Sequence, residues 1–136
     1  MSVAKILLVY LLSFGVFLAI DSVWLLKISP KLYKNNIGHL MADKPQLWAA
    51  LLFYLIFIAA LLVLVLIPAL NDKSLAHAAA FGAVFGLVTY ATFDLTSQAV
   101  FKDWPTKITI LDLVWGTSLT TLVSVIVYWL SDKFIV

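Results

Sequence analysis

From residue 47 to residue 67 the chain carries no charged side chain, and Tyr54 is the one clear polar relief in an apolar run. A run of that length has one natural solvent. At 1.5 Å per residue, about 20 helical residues cross a hydrocarbon core about 30 Å thick. Inside lipid the backbone must satisfy its own N–H and C=O groups, which leaves helices and closed barrels. Three further runs flank this one: residues 6–26 after Lys5, 75–101 before Lys102 and Asp103, and 108–130 before Ser131, Asp132 and Lys133. Pro68 is expected to close the second. The reading is all-α, an integral membrane protein of four transmembrane helices, with residues 1–136 as a single domain.

Composition agrees. Of 136 residues, 64% are hydrophobic, more than a water-soluble core of this size could hide. The nine cationic residues are all lysines, scattered rather than gathered in a basic stripe, so no nucleic-acid partner is expected. The absence of cysteine removes disulfides, thiolate catalysis and thiol-ligated metals. The first apolar run is read as a retained helix rather than a signal peptide. No small-x-small cleavage pattern follows it, and Asp21-Ser-Val-Trp24 continues it.

Lysines set the orientation. The first and third connections hold Lys27, Lys31, Lys34, Lys44, Lys102 and Lys107; the opposite face holds Lys5, Lys73 and Lys133. The positive-inside rule then places both termini outside a bacterial inner (cytoplasmic) membrane. Residues 27–46 form an interfacial segment between helices 1 and 2, with Ser29 expected to cap a helix opening at Pro30. Leu32, Tyr33, Ile37, Leu40 and Met41 make its apolar stripe. Two roles are open: lying on anionic headgroups, or covering the membrane site as a lid with His39 reaching inward.

That site is marked by three aspartates within the apolar runs, Asp21, Asp94 and Asp112. A carboxylate in hydrocarbon costs roughly 2.5–3.5 kcal/mol when central, so such residues are expensive and generally face the bundle interior. Threading the chain across a bilayer brings all three to the same side. Helical spacing gives each a face. Tyr10, Phe14, Phe17, Asp21 and Trp24 align on the first helix. Ala83, Gly86, Tyr90, Asp94 and Ser97 align on the third, where Gly82 and Gly86 form a G-x-x-x-G that allows close backbone approach. Asp112, Trp115, Gly116, Leu119 and Val123 align on the fourth, with Thr120 at the margin. Asp21 and Asp112 each open a D-x-x-W pattern. Packing stripes and belt tryptophans produce similar patterns without any ligand.

Carboxylates this close cannot all ionise comfortably, so at least one is expected to keep its proton unless a cation is present. The chemistry therefore points to proton exchange, to a metal or to an organic cation. No D-x-x-x-D or H-x-x-x-H spacing supports a metal, and no residue pattern names a cofactor. Carboxylate beside tryptophan and tyrosine faces suits an ammonium group, such as a lipid headgroup. The expected ligand-binding set is Asp21, Trp24, Tyr90, Asp94, Asp112 and Trp115. Nucleophilic catalysis has little support: there is no cysteine and no G-x-S-x-G, and His39 and His77 fall on opposite sides.

At Asp21-Ser-Val-Trp24-Leu25, Tyr90-Ala-Thr-Phe-Asp94-Leu-Thr96 and Asp112-Leu-Val-Trp115-Gly116 the chain resembles domain-of-unknown-function family 2177, small bacterial membrane proteins. Ser97 stands where that family's aromatic-Asp-Leu-Thr-Asn run has asparagine, so no amide role carries over. The resemblance implies four helices and a bacterial membrane and brings no established activity. Three functions stay open: binding or helping to modify a membrane lipid or amphiphile; a small proton- or cation-coupled transporter working as a homo-oligomer; or a structural subunit of a membrane complex. The absence of an intramembrane lysine or arginine to neutralise the acids weighs against the last.

Overall fold

The computed structural model describes all 136 residues and contains four helical stretches long and apolar enough to cross a membrane. The first begins with α1, Val3–Val23, capped by the Ser2 hydroxyl accepting from the Lys5 N–H. A π-turn at Trp24–Ile28 leads directly into α2, Ser29–Ile37, and a 3₁₀ turn at Gly38–Leu40. The second is α3, Leu47–Leu61, a π-turn at Leu62–Leu66, and α4, Ile67–Asn71. The third is α5, Leu75–Val100, and the fourth α6, Thr106–Phe134.

Three local expectations are corrected. The second helix passes through Pro68 and ends at Asn71. A proline inside a helix normally strikes the carbonyl four residues back, here that of Leu64, but Leu64 lies in the π-turn, whose wider winding moves that carbonyl aside. Pro30 uses the same arrangement, with Leu26 in the π-turn before it. Ser29 makes no cap: it is buried as the first residue of α2, because the π-turn joins the two helices without an extended residue between them. The fourth helix continues past Ser131 and Lys133 to Phe134.

The helices are not equally close. α5 and α6 pack most intimately, antiparallel along their length. A Cβ at Gly82 would lie 2.5 Å from the Ser124 Oγ, and one at Gly86 would strike the Gly116 carbonyl and Thr120. The G-x-x-x-G is thus a true contact seam, and Thr120 is fully buried within it rather than marginal. α1 packs on α6 and α3 packs on α1, whereas the α3 and α5 backbones stay apart, with Phe57 of α3 set edge-on to Phe85 of α5 at 5.1 Å between centroids. At the π-turn Leu62–Leu66 and in α4 the second span closes on α5. The apolar core, including Val9, Phe17, Leu61, Leu66, Val123 and Val127, fills the bundle toward that closed end. Leu7, Leu11, Ile56, Val63, Val84 and Val114 stay exposed, as lipid-facing residues do.

The two glycine environments make opposite predictions. Gly86→Ala should destabilise the bundle by about 1–3 kcal/mol through overpacking. Gly15, with open space around its Cβ position, should accept alanine with a gain of up to about 1 kcal/mol. Thermal unfolding in detergent reads both; a neutral Gly86→Ala would remove the close seam.

Candidate functional site

The antiparallel α5–α6 hairpin sets the first part of the site. Asp94 lies six residues before the end of α5 and Asp112 six residues after the start of α6, so a short turn brings them level. A polar network holds that turn. Trp104 Nε1 donates to Thr109 Oγ1 at 3.1 Å, Thr109 Oγ1 donates to Gln98 Oε1 at 2.8 Å, and Gln98 Nε2 donates to the Trp104 carbonyl at 2.9 Å. Asp103 closes it with φ 58°, a left-handed conformation that aspartate tolerates better than most residues.

The second part is centred on Asp21. Its carboxylate accepts from Tyr54 Oη of α3 at 2.9 Å and from Trp115 Nε1 of α6 at 3.3 Å. Trp24 stacks on Trp115 with centroids 4.6 Å apart and planes 9° from parallel. Asp21 is therefore bonded to two other helices, and each tryptophan ring has a face committed to the other.

Tyr33 is the third element. Its hydroxyl donates to Asp112. A straight continuation of α1 would carry Tyr33 about 18 Å beyond Asp21 at 1.5 Å per residue. Asp112, however, lies one turn from the Trp115 that meets Asp21. The chain must bend back between them, and the π-turn and Pro30 are the two features there that bend helices. The connection therefore brings Tyr33 to Asp112, while His39, the residue expected to reach inward, is exposed.

The three acids are all buried, at 5%, 0% and 6% exposure for Asp21, Asp94 and Asp112, yet their partners differ sharply. Asp21 has two donors and Asp112 has one. Asp94 has no hydroxyl, amide or indole donor: the group beside it is another carboxyl, that of Asp112, with which it can bond only by sharing a proton. The one histidine or lysine nitrogen within 4 Å of a carboxylate is His77 Nδ1, 3.5 Å from Asp72, so no lysine neutralises any of the three.

Asp94 and Asp112 line a cavity of about 350 Å³ with Tyr90, Thr89, Phe53, Phe57 and Phe93. It occupies the gap that the splayed α3 leaves beside α5. Phe53 and Phe93 at its rim are exposed on the apolar outer surface. Of the residues expected at the site, Tyr90, Asp94 and Asp112 line this cavity, whereas Asp21, Trp24 and Trp115 form the bonded cluster next to it. Sequence reasoning missed Tyr33 and Tyr54 as partners of the acids. Tyr54 carried a signal, being the hydroxyl in an apolar run that spans the depth of Asp21. Phe53, Phe57 and Phe93 carried none, since any apolar span is rich in such residues.

No set of three histidine, cysteine or acidic side chains converges closely enough to hold a metal ion. What the arrangement offers is a carboxyl pair, one tyrosine hydroxyl and four aromatic rings in an apolar chamber. It can hold a proton or an organic cation. The bonded and unbonded acids should respond differently to substitution. Tyr54→Phe removes a donor from buried Asp21 and should cost about 1–2 kcal/mol. Asp94→Asn replaces a proton shared with Asp112 by an amide N–H that can donate to it, so the melting temperature in detergent should hold or rise. A fall with Asp94→Asn as large as with Tyr54→Phe would make Asp94 a structural acid.

The family model described as "Predicted membrane protein (DUF2177)" matches residues 6–129. No curated protein and no solved structure matches the chain. The match spans all four long helices and every residue of the polar layer. The chain is a member of this family of predicted membrane proteins.

Proposed function

We propose that the protein binds a membrane amphiphile with a cationic amine headgroup, which reaches Asp94 and Asp112 sideways from the lipid between α3 and α5. One observation carries this reading: the fully buried Asp94 has no partner but the Asp112 carboxyl, and the pair borders an aromatic chamber. A buried, unpartnered carboxylate is costly, and an ammonium group would supply both charge and hydrogen-bond donors. Tyr90 and the phenylalanines add cation–π attraction in a site shielded from water. On this reading the stacked Trp24 and Trp115 hold the bundle together beside the headgroup.

The lysine distribution supports a bacterial inner membrane with the site toward the cytoplasmic leaflet and both termini outside. A reporter fused after Val136 should behave as periplasmic, and one inserted near Asn36 as cytoplasmic. Reversed signals would overturn the orientation and leave the carboxyl pair untouched.

The headgroup reading is tested by lipid content. Protein extracted in mild detergent should retain phosphatidylethanolamine, and Asp94→Asn should lower retention roughly tenfold, the change for about 1.4 kcal/mol of binding free energy. Tyr54→Phe should retain it. Equal retention in wild type and Asp94→Asn would end this reading. The paired carboxyls with Tyr33 on Asp112 favour one other use, a proton-coupled transporter. Proton flux into proteoliposomes lost in Asp112→Asn, with lipid content unchanged, would support that use instead.

A further inference from the structure

The chamber at Asp94 is the first of three that follow one another along the α3–α5 gap. The next, about 320 Å³, shares Phe53, Phe57 and Thr89 with it and adds Ile56, Ala60, Phe85 and Thr92. The third, about 210 Å³, shares Phe85 with the second and is lined by Leu64, Val65, Phe81, Val84 and Val88. Together they make one groove with a graded character. Carboxyls stand at one end, threonines and phenylalanines in the middle, and only apolar side chains at the other. From Asp94 to Phe81 it runs about 20 Å along α5 at 1.5 Å per residue. That exceeds half of a hydrocarbon core about 30 Å thick.

We infer that this groove holds one hydrocarbon chain of the bound lipid lengthwise, with its headgroup at the Asp94 end and its terminus against Leu64, Phe81 and Val84. The inference rests on the headgroup reading above for polarity and on the groove itself for the chain. Polarity and depth agree with each other. Asp94 is close to one end of α5, and the groove leads from there toward the bilayer middle, as the tail of a lipid in that leaflet does. The occupant is a long-chain amine lipid. A soluble amine would leave the apolar two thirds of the groove unused, and a short chain would end among the phenylalanines.

The test uses the full chain in phosphatidylglycerol vesicles doped with phosphatidylethanolamine carrying a diazirine at the end of one acyl chain. After illumination, peptide mapping should place roughly tenfold more label on Leu64, Phe81, Val84 and Val88 than on Leu7 and Leu11, exposed residues of α1 at similar depth. Ala60→Trp, which fills the middle of the groove, should move the label off the distal residues. Even labelling of α1 and the groove in the wild type overturns the inference, whatever Asp94→Asn does to lipid content. Label that stays on Leu64 and Val84 in Asp94→Asn supports the groove and overturns the headgroup reading instead.

Discussion

The arrangement of the bundle depends on Asp21. In hydrocarbon a buried carboxylate must find donors, and here they come from α3 through Tyr54 and from α6 through Trp115. One side chain thereby ties three helices at a single depth. Lipid offers no competing hydrogen bonds, so the tie sets the level of each helix against the others in a way that apolar packing alone, tolerant of sliding, would not. The Trp24–Trp115 stack follows from it, since the indole that donates to Asp21 lies flat against its neighbour.

That tie also explains the opening beside α5. α3 is held to α1 and α6 at its Asp21-facing end, while α5 is drawn onto α6 by glycines at Gly82 and Gly86 that admit no side chain between the backbones. α5 is thus packed on α6 while α3 packs on α1, and the space between α3 and α5, crossed where Phe57 meets Phe85, closes where the π-turn at Leu62–Leu66 brings the second span onto α5. The groove is what remains between two strong attachments. The π-turns recur for one reason: each precedes a proline by the interval that shifts the obstructing carbonyl, so the chain bends instead of stopping.

Within the polar layer the division of labour follows from partners. Asp21 has two donors from other helices and stabilises the fold. Asp94 has the depth without a donor beyond the neighbouring carboxyl, so its burial costs stability. Asp112 stands between them, bonded by Tyr33 yet beside Asp94. Because Tyr33 comes from α2, which lies beyond the first bend, the connection at the membrane surface is mechanically joined to the intramembrane carboxyl pair.

Much of this was legible in the residues. Four charge-poor runs admit only spanning helices, since a backbone in lipid must bond to itself, and three aspartates in those runs must face inward for the same reason. The facing of Asp94 and Asp112 follows from helical spacing and a short turn, both local properties. What local properties could not decide was which partner each acid would meet. Tyr54 and Trp115 reach Asp21 across 33 and 94 residues of chain, and Tyr33 reaches Asp112 across 79. Spacing is silent at such separations. The two D-x-x-W patterns are alike in sequence, yet tertiary structure gave one aspartate two donors and the other a single tyrosine beside a second carboxyl. Helices that lipid requires were set by the sequence alone; the satisfied acid, the unsatisfied acid and the gap beside it were decided only when the helices packed, because hydrogen-bond partners in a bundle are chosen by depth and facing, not by order along the chain.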